Sequence, residues 1–397
     1  MDASPDSRAE APRAGDLVEL HIDALAAGGD GVGRLADGRV VFVPLAAPGD
    51  RVRARLVSLR SRFARAELDR VLEPGPARVA PVCPVFGACG GCAWQHVVYD
   101  AQCEAKRAIV EDALRRIGRL APPEVDFVRS PRPLAYRART RVLVEGGRVG
   151  YRRRASRELC AVEACPVLVP VVDDALRRLV AAPPAEDGEW ELAAGAAGAV
   201  AHPLRGPGEA LEIAAGGGSL RISPGVFFQA HAGLRERLLE ALARSAGAGA
   251  LALELYAGAG FFTLSLARTF ARVVAVEGEP DAAADLRHNA ARAALSGVAV
   301  VESRVEEALA DADLLGGARP DAVVLDPPRT GLAPGAAGRI AALAPRRIVY
   351  LSCDPATLAR DAAALVAAGY ALEGVVAFDL FPQTPHVEVL ARLAPTG

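Results

Sequence analysis

From Ser223 onward the chain alternates strand-like apolar runs with Ala/Leu-rich segments. LALELY, RVVAVE, VAVVES, DAVVLDPP and RRIVYLSCDP follow one another, and VVAFDLF and HVEVLARL close the pattern. Continuous apolar runs suit strands covered on both faces. Interleaved with helices, they predict a doubly wound α/β domain. Such sheets hold ligands at the carboxyl ends of their strands. The residues just after each run are therefore the ones to read for function.

After the first run comes Glu254-Leu-Tyr256-Ala-Gly258-Ala-Gly260. Glycine there lets the backbone turn tightly and approach a ligand. About twenty residues on, the second run ends at Glu277, where an acid can hydrogen-bond a ribose diol. The pair predicts an adenosine-containing cofactor and leaves a dinucleotide or S-adenosylmethionine open. The third run ends at Glu302-Ser303. The fourth ends in Asp326-Pro-Pro-Arg, which offers a carboxylate and carbonyls to a substrate base. A plain helix-starting turn also favours Asp and Pro.

Cys353 follows the fifth run, in Ser-Cys-Asp-Pro-Ala-Thr-Leu. Pro355 opens a helix behind it, whose N-terminal dipole is expected to favour a thiolate. Glu388 enters the last strand. An acid inside an apolar strand is costly unless paired or functional. Together they suit one chemistry. Carbon 5 of uracil is a poor nucleophile. A thiolate adding to carbon 6 makes carbon 5 enolate-like and able to accept a methyl group from a sulfonium. A carboxylate must then remove the carbon 5 proton.

The 397 residues are too many for one ordinary domain. Residues 1–14 read as a disordered tail. Between Gly15 and about Glu73, short runs separated by Gly and Pro read as a small barrel of the OB type, dotted with arginines. Residues 76–222 read as a central mixed α+β domain with a helix near Tyr99–Leu120. Its stretch 166–220 reads as mixed strands and loops, and residues 223–397 form the α/β domain. No apolar stretch reaches a membrane span, and the N-terminus lacks an apolar signal core. A cytoplasmic monomer with no obligate protein partner is expected.

Six of the seven cysteines precede residue 170, and one stands alone near the C-terminus. Cys83, Cys89 and Cys92 crowd ten residues, with Cys165 or Cys160 available as a fourth. Four thiolates suit an iron–sulfur cluster or structural zinc. The net charge is −2, yet residues 132–157 set nine arginines against Glu145, with Tyr136 and Tyr151 interleaved. That composition predicts an RNA surface built on guanidinium groups and stacking, since Lys106 is the only lysine.

These residues make the chain similar to the RNA (uracil-5-)-methyltransferase family, in its form with an N-terminal TRAM barrel and a [4Fe–4S] cluster. CPVFGACGGCAWQH with CPVL resembles the cluster pattern, which puts Cys165 ahead of Cys160. SCDPATLARD resembles the nucleophile motif at Cys353 and HVEVL the base motif at Glu388. FFQAH, ELYAGAG, VEG and DPPR resemble the cofactor and substrate positions. The resemblance implies a Rossmann-like domain that binds S-adenosylmethionine. It gives Gln229, Tyr256, Gly258, Gly260, Glu277 and Asp326 roles in holding the cofactor or placing the base. It implies 23S ribosomal RNA as substrate, with transfer RNA as the alternative. His231, Ala257, Arg304 and Asp354 depart from the usual residues. Two competing readings remain: an RNA-binding iron–sulfur protein with an inactive α/β domain, and an N-methyltransferase acting through Asp326-Pro-Pro-Arg.

Overall fold

The structure, a computed structural model, describes residues 12–204 and 208–396. Most of the expected tail, residues 1–11, lies outside the described residues. Strands β1 (Leu17–Leu25), β2 (Gly31–Arg34), β3 (Val40–Val43), β4 (Arg51–Leu59) and β5 (Phe63–Glu73) close into a barrel. Closure leaves no free edge. Its interior is small and aliphatic: Leu20, Ile22, Val41, Val43, Val52 and Leu56 are buried.

An irregular cysteine-bearing segment leads to α1 (Tyr99–Arg116) and β6 (Val125–Val128). The helix stops short of the expected Leu120, just before Gly118. Then come β7 (Arg139–Glu145), β8 (Arg148–Arg152), β9 (Leu159–Ala161), α2 (Pro170–Ala181), β10 (Gly188–Gly195) and β11 (Gly198–Pro203). These strands make one sheet in the order β11-β10-β7-β8-β9. Helix α2 is absent from the sequence reading. It begins with Pro170, suited to a first turn, and buries Val172, Ala175, Leu176 and Leu179 on one face. A hairpin, β12 (Leu211–Ala215) and β13 (Gly218–Ile222), follows.

The C-terminal part alternates as expected. It runs α3 (Arg235–Ala246), β14 (Gly249–Leu255), α4 (Thr263–Leu266), β15 (Phe270–Glu277), α5 (Pro280–Arg292), β16 (Val298–Glu302) and α6 (Val305–Ala308). It continues with β17 (Ala322–Leu325), α7 (Ala336–Ala342), β18 (Arg347–Ser352), α8 (Pro355–Ala367), β19 (Tyr370–Phe378) and β20 (Glu388–Pro395). The sheet order is β16-β15-β14-β17-β18-β20-β19-β6. Five parallel strands reverse their winding between β14 and β17, and β20 runs antiparallel between β18 and β19. The eighth strand is β6, parallel to β19. It comes from within 76–222, so that segment contributes an edge to the C-terminal sheet. No described helix is long and apolar enough to cross a membrane.

The loop between β19 and β20 is pinned from three sides. The Lys106 ammonium, fully buried, lies 2.5 Å from Asp379 and donates to the Phe381 carbonyl at 2.9 Å. The Tyr99 hydroxyl donates to the second Asp379 oxygen at 2.8 Å. The amides of Ala93 and Trp94 both donate to the Gln383 carbonyl, and Trp94 Nε1 reaches the Gly29 carbonyl of the barrel at 2.9 Å.

Candidate active site

The carboxyl ends of β14, β15, β17 and β18 open into a cavity of about 1140 Å³. This is where the winding reverses, the expected crevice of an open α/β sheet. Its walls include Gln229, Tyr256, Gly258, Glu277, Asp326, Cys353 and Glu388. Seven of the eight expected catalytic and cofactor residues thus meet in one space. The exception is Gly260, which does not line it. Gly260 has φ +91°, and a Cβ there would lie 2.4 Å from Leu286 Cδ1, so its constraint is packing against α5.

Strand register explains the meeting of Cys353 with Glu388. Ser352 pairs with Val389 in the antiparallel β18–β20 ladder, so the next step out brings Cys353 level with Glu388. Leu325 pairs with Tyr350 in the parallel β17–β18 ladder, so Asp326 emerges beside them. Glu388 is 3% exposed. At the other end of the cavity, Tyr256 takes a left-handed φ of 62° as β14 turns into the glycine loop. That conformation is strained for a side chain bearing a Cβ. The Glu277 carboxylate accepts from the Gly258 amide at 2.6 Å and from the Glu279 amide at 2.7 Å. Glu254, behind the loop, is held up to about 8 by burial, and only one of its oxygens has a partner, the Thr263 hydroxyl.

The electrostatics correct one expectation. Helix α8 does begin just after Cys353, but its free amides are taken by Asp354, whose carboxylate accepts from Ala356 and Thr357. The capping charge answers the dipole that was to favour a thiolate. Burial and then the charge of Glu388 push the Cys353 thiol up to about 11, with Arg329 opposing. Burial raises Asp326 to about 7. Glu388 is raised well above the usual carboxylate range, by burial and then by Asp326. At its Cys353 end the cavity therefore favours the neutral forms of these groups.

His231, one of the departures, is structural. Its Nε2 lies 2.8 Å from the Ser130 hydroxyl and its ring stacks on Tyr136 at 4.9 Å. Arg304 lines the cavity together with the glycine loop and Glu277, near Glu306. Phe227, Arg329 and His386, quoted from sequence only as parts of their motifs with no role of their own, line the same cavity, as does Phe381, which no motif included. Arg329 and His386 each sit beside a recognised acid, which was the available signal.

Cys83, Cys89, Cys92 and Cys165 line a second cavity, of about 420 Å³, and Cys160 does not. Val85, Phe86, Val162 and Tyr151 complete much of its wall. Burial raises the thiols of Cys89 to about 11 and Cys92 to about 12, with the other cysteines adding to the rise. Among the described residues, no group of three or more Cys, His, Asp or Glu side chains is gathered tightly enough to hold a metal ion. Phe227, Phe228 and Phe381 border both cavities.

The arginine-rich stretch is less one-sided in three dimensions. Arg139 is buried in a bidentate pair with Glu191, at 2.7 and 2.6 Å. Arg152 meets Glu189, Arg153 meets Glu158, and Arg154 meets Asp30 of the barrel. Tyr136 is 3% exposed and donates to the Pro382 carbonyl. Tyr151 faces the cysteine cavity. Neither tyrosine is the exposed stacking platform expected, because each closes an internal contact.

Residues 208–394 match the profile of the tRNA (Uracil-5-)-methyltransferase family, and residues 13–68 match the TRAM domain. The chain is 34% identical to a 23S rRNA (uracil(1939)-C(5))-methyltransferase of Klebsiella pneumoniae, over 94% of each chain. It is also 34% identical to an uncharacterised RNA methyltransferase of Gloeobacter violaceus, over 96% of each. Among solved structures it is similar to the tRNA (uracil-54, C5)-methyltransferase of Pyrococcus abyssi in complex with S-adenosyl-L-homocysteine. The TM-score is 0.73 at 25% identity, covering 95% of this chain and 100% of that one.

Proposed function

Since the chain belongs to the RNA (uracil-5-)-methyltransferase family, we propose that it methylates carbon 5 of a uridine in 23S ribosomal RNA, with Cys353 as nucleophile and Glu388 as base. The observation that carries the reading is the β18–β20 register, which brings both residues to one cavity with Asp326. S-Adenosylmethionine bound along the glycine loop supplies an electrophilic methyl group. The residues there fit it: Glu277 is set for a ribose diol, and Gly258 leaves the backbone open to approach.

Cys353 gives its proton to solvent and adds to carbon 6 of the uracil. The carbon 5–carbon 6 π pair moves towards carbon 5 and forms the bond to the methyl carbon as the methyl–sulfonium bond breaks, leaving S-adenosylhomocysteine. Glu388 then removes the proton from carbon 5, the double bond re-forms, and the sulfur leaves as thiolate. Glu388 is well suited to hold a proton at the end of this sequence, because burial already favours its neutral form. Asp326, beside both, is placed to bond the polar edge of the base.

Cys83, Cys89, Cys92 and Cys165 would hold a [4Fe–4S] cluster. Their thiols line one cavity, and a donor set of four cysteines suits an iron–sulfur cluster, with structural zinc as the alternative. Anaerobically purified protein is expected to contain about four iron and four sulfide per chain. Zinc with no sulfide would overturn this part. The enzyme is read as a monomer acting in the cytoplasm.

The substrate test is incubation with S-adenosylmethionine and unmodified 23S rRNA or tRNA, followed by mass spectrometry of the nucleosides. 5-Methyluridine in the ribosomal sample alone is expected. The same product in tRNA alone would favour the second reading, for which the likeness to the archaeal tRNA enzyme is the supporting observation.

A further inference from the structure

The walls of the larger cavity carry six carboxylates and two guanidiniums, those of Arg304 and Arg329. Arg304 lies at the cofactor end and sits 3.6 Å from Glu306. Arg329 lies at the other end, with Cys353, Asp326 and Glu388, and has no hydrogen-bond or ion-pair partner among the described residues. It is exposed, yet its backbone is tightly held. The Gly331 amide closes a turn on the Pro328 carbonyl at 2.8 Å. Arg360 of α8 donates to the carbonyls of Thr330 and Leu332, and Asp361 accepts from the Leu332 amide at 2.8 Å. Gly331 has φ +73°, and a Cβ there would fall 2.4 Å from an Asp361 oxygen. The helix that begins beside Cys353 therefore also fixes the turn that carries Arg329.

An unpartnered cation on a clamped turn, beside three acidic groups whose ionised forms oppose one another, is an arrangement with an electrostatic purpose. We propose that Arg329 is a positioning residue of the reaction, whose guanidinium supplies the positive charge that lets Cys353 attack as a thiolate between two carboxylates. The proposal rests on Cys353 being the nucleophile. The charged groups acting on that thiol are Glu388 from β20 and Asp326 and Arg329 from the loop after β17, while the Asp354 carboxylate next to it is turned to the amides of α8. His386, whose imidazole burial and Arg329 hold neutral down to about 4, lines the same space and adds no compensating charge there. Arg329 opposes the rise of both Cys353 and Glu388.

The experiment follows the enzyme with S-adenosylmethionine as it adds to RNA containing 5-fluorouridine. After methyl transfer carbon 5 carries fluorine and methyl and no proton for Glu388 to remove, so the adduct accumulates at a rate that carries the thiolate fraction of Cys353. Arg329→Gln is expected to slow adduct formation about tenfold between pH 7 and 9 and to move the rising limb of the profile up by roughly one pH unit. That is the low end of the effect of a near charge, as suits an exposed group. Arg329→Lys, which keeps the charge, is expected to restore most of the rate. An unmoved limb in Arg329→Gln, with a raised KM for RNA and a salt dependence shallower by about one ion, would overturn the proposal and make Arg329 a phosphate contact. Arg329→Lys as slow as Arg329→Gln, with the melting temperature lowered in both, would overturn it in favour of a structural role. Cys353→Ser tests the premise separately: an adduct formed by that variant would sink the nucleophile assignment itself.

Discussion

Lys106→Met tests how the loop before Glu388 is held. The wild-type ammonium is sealed from solvent, 2.5 Å from an equally buried carboxylate and 2.9 Å from the Phe381 carbonyl. Methionine matches the length of the stem but leaves Asp379 buried with the Tyr99 hydroxyl as its remaining side-chain donor among the described residues. Removing one partner of such a pair costs about 3–5 kcal/mol, because the surviving charge is uncompensated. Against a total stability of about 5–15 kcal/mol, that is a large fraction. Asp379→Asn in the same chain removes the stranded charge and keeps an oxygen for Tyr99. The double variant is therefore expected to recover most of the loss, giving a coupling of about 2 kcal/mol or more. Urea unfolding followed by tryptophan fluorescence is a suitable assay, since Trp94 packs under the Lys106 ammonium at 5.8 Å. The loop also loses an anchor ahead of β20, so turnover is expected to fall with stability. A cost below about 1 kcal/mol for Lys106→Met, or a double variant as unstable as the single, would refute the reasoning.

Three further outcomes are expected. Cys353→Ala abolishes methylation, whereas Glu388→Gln transfers the methyl group but stalls before release, leaving a covalent protein–RNA species on a denaturing gel; free turnover by Glu388→Gln would remove it as base. Alkylation of Cys353 in the free enzyme by iodoacetamide, read by peptide mass spectrometry, rises about tenfold per pH unit from 7 to 10, because the thiol is held up to about 11 and only its deprotonated form reacts. A plateau below pH 8 would contradict that. Gly260→Ala meets Leu286 Cδ1 at 2.4 Å in a left-handed backbone, so it is expected to cost about 1–3 kcal/mol by thermal melting, with α5 displaced from the cofactor loop.

Local pattern carried most of the fold into view. Strand and helix periods are short, so β14 to β20 were legible, and the glycine turn, Asp326, Cys353 and Glu388 stood at strand ends where the sheet had to gather them. What stayed hidden depended on distant partners. Glu191 answers Arg139 across 52 residues, and Asp30 answers Arg154 from the barrel, so an arginine stretch that looked unpaired is partly neutralised. The state of the Cys353 thiol depended on Glu388 from another strand and on Asp354 occupying the helix amides. Helix α2 was readable, since Pro170 and four buried residues at helical spacing mark it.

The pairing of β6 with β19 sets a schedule for making this protein. Val125 bonds alongside Val375, so 250 residues (375 − 125) must be translated between the two. At about 5–20 residues per second, the first strand waits roughly ten to fifty seconds for its neighbour. The barrel pairs within residues 17–73 and can close during that interval, whereas the edge strand of the larger sheet cannot be satisfied until β19 has been made. A ribosome that stops short of β19 releases a chain with a closed barrel, an unpaired β6 and no Glu388. Such a fragment exposes an unpaired strand edge, the kind of surface on which chains aggregate.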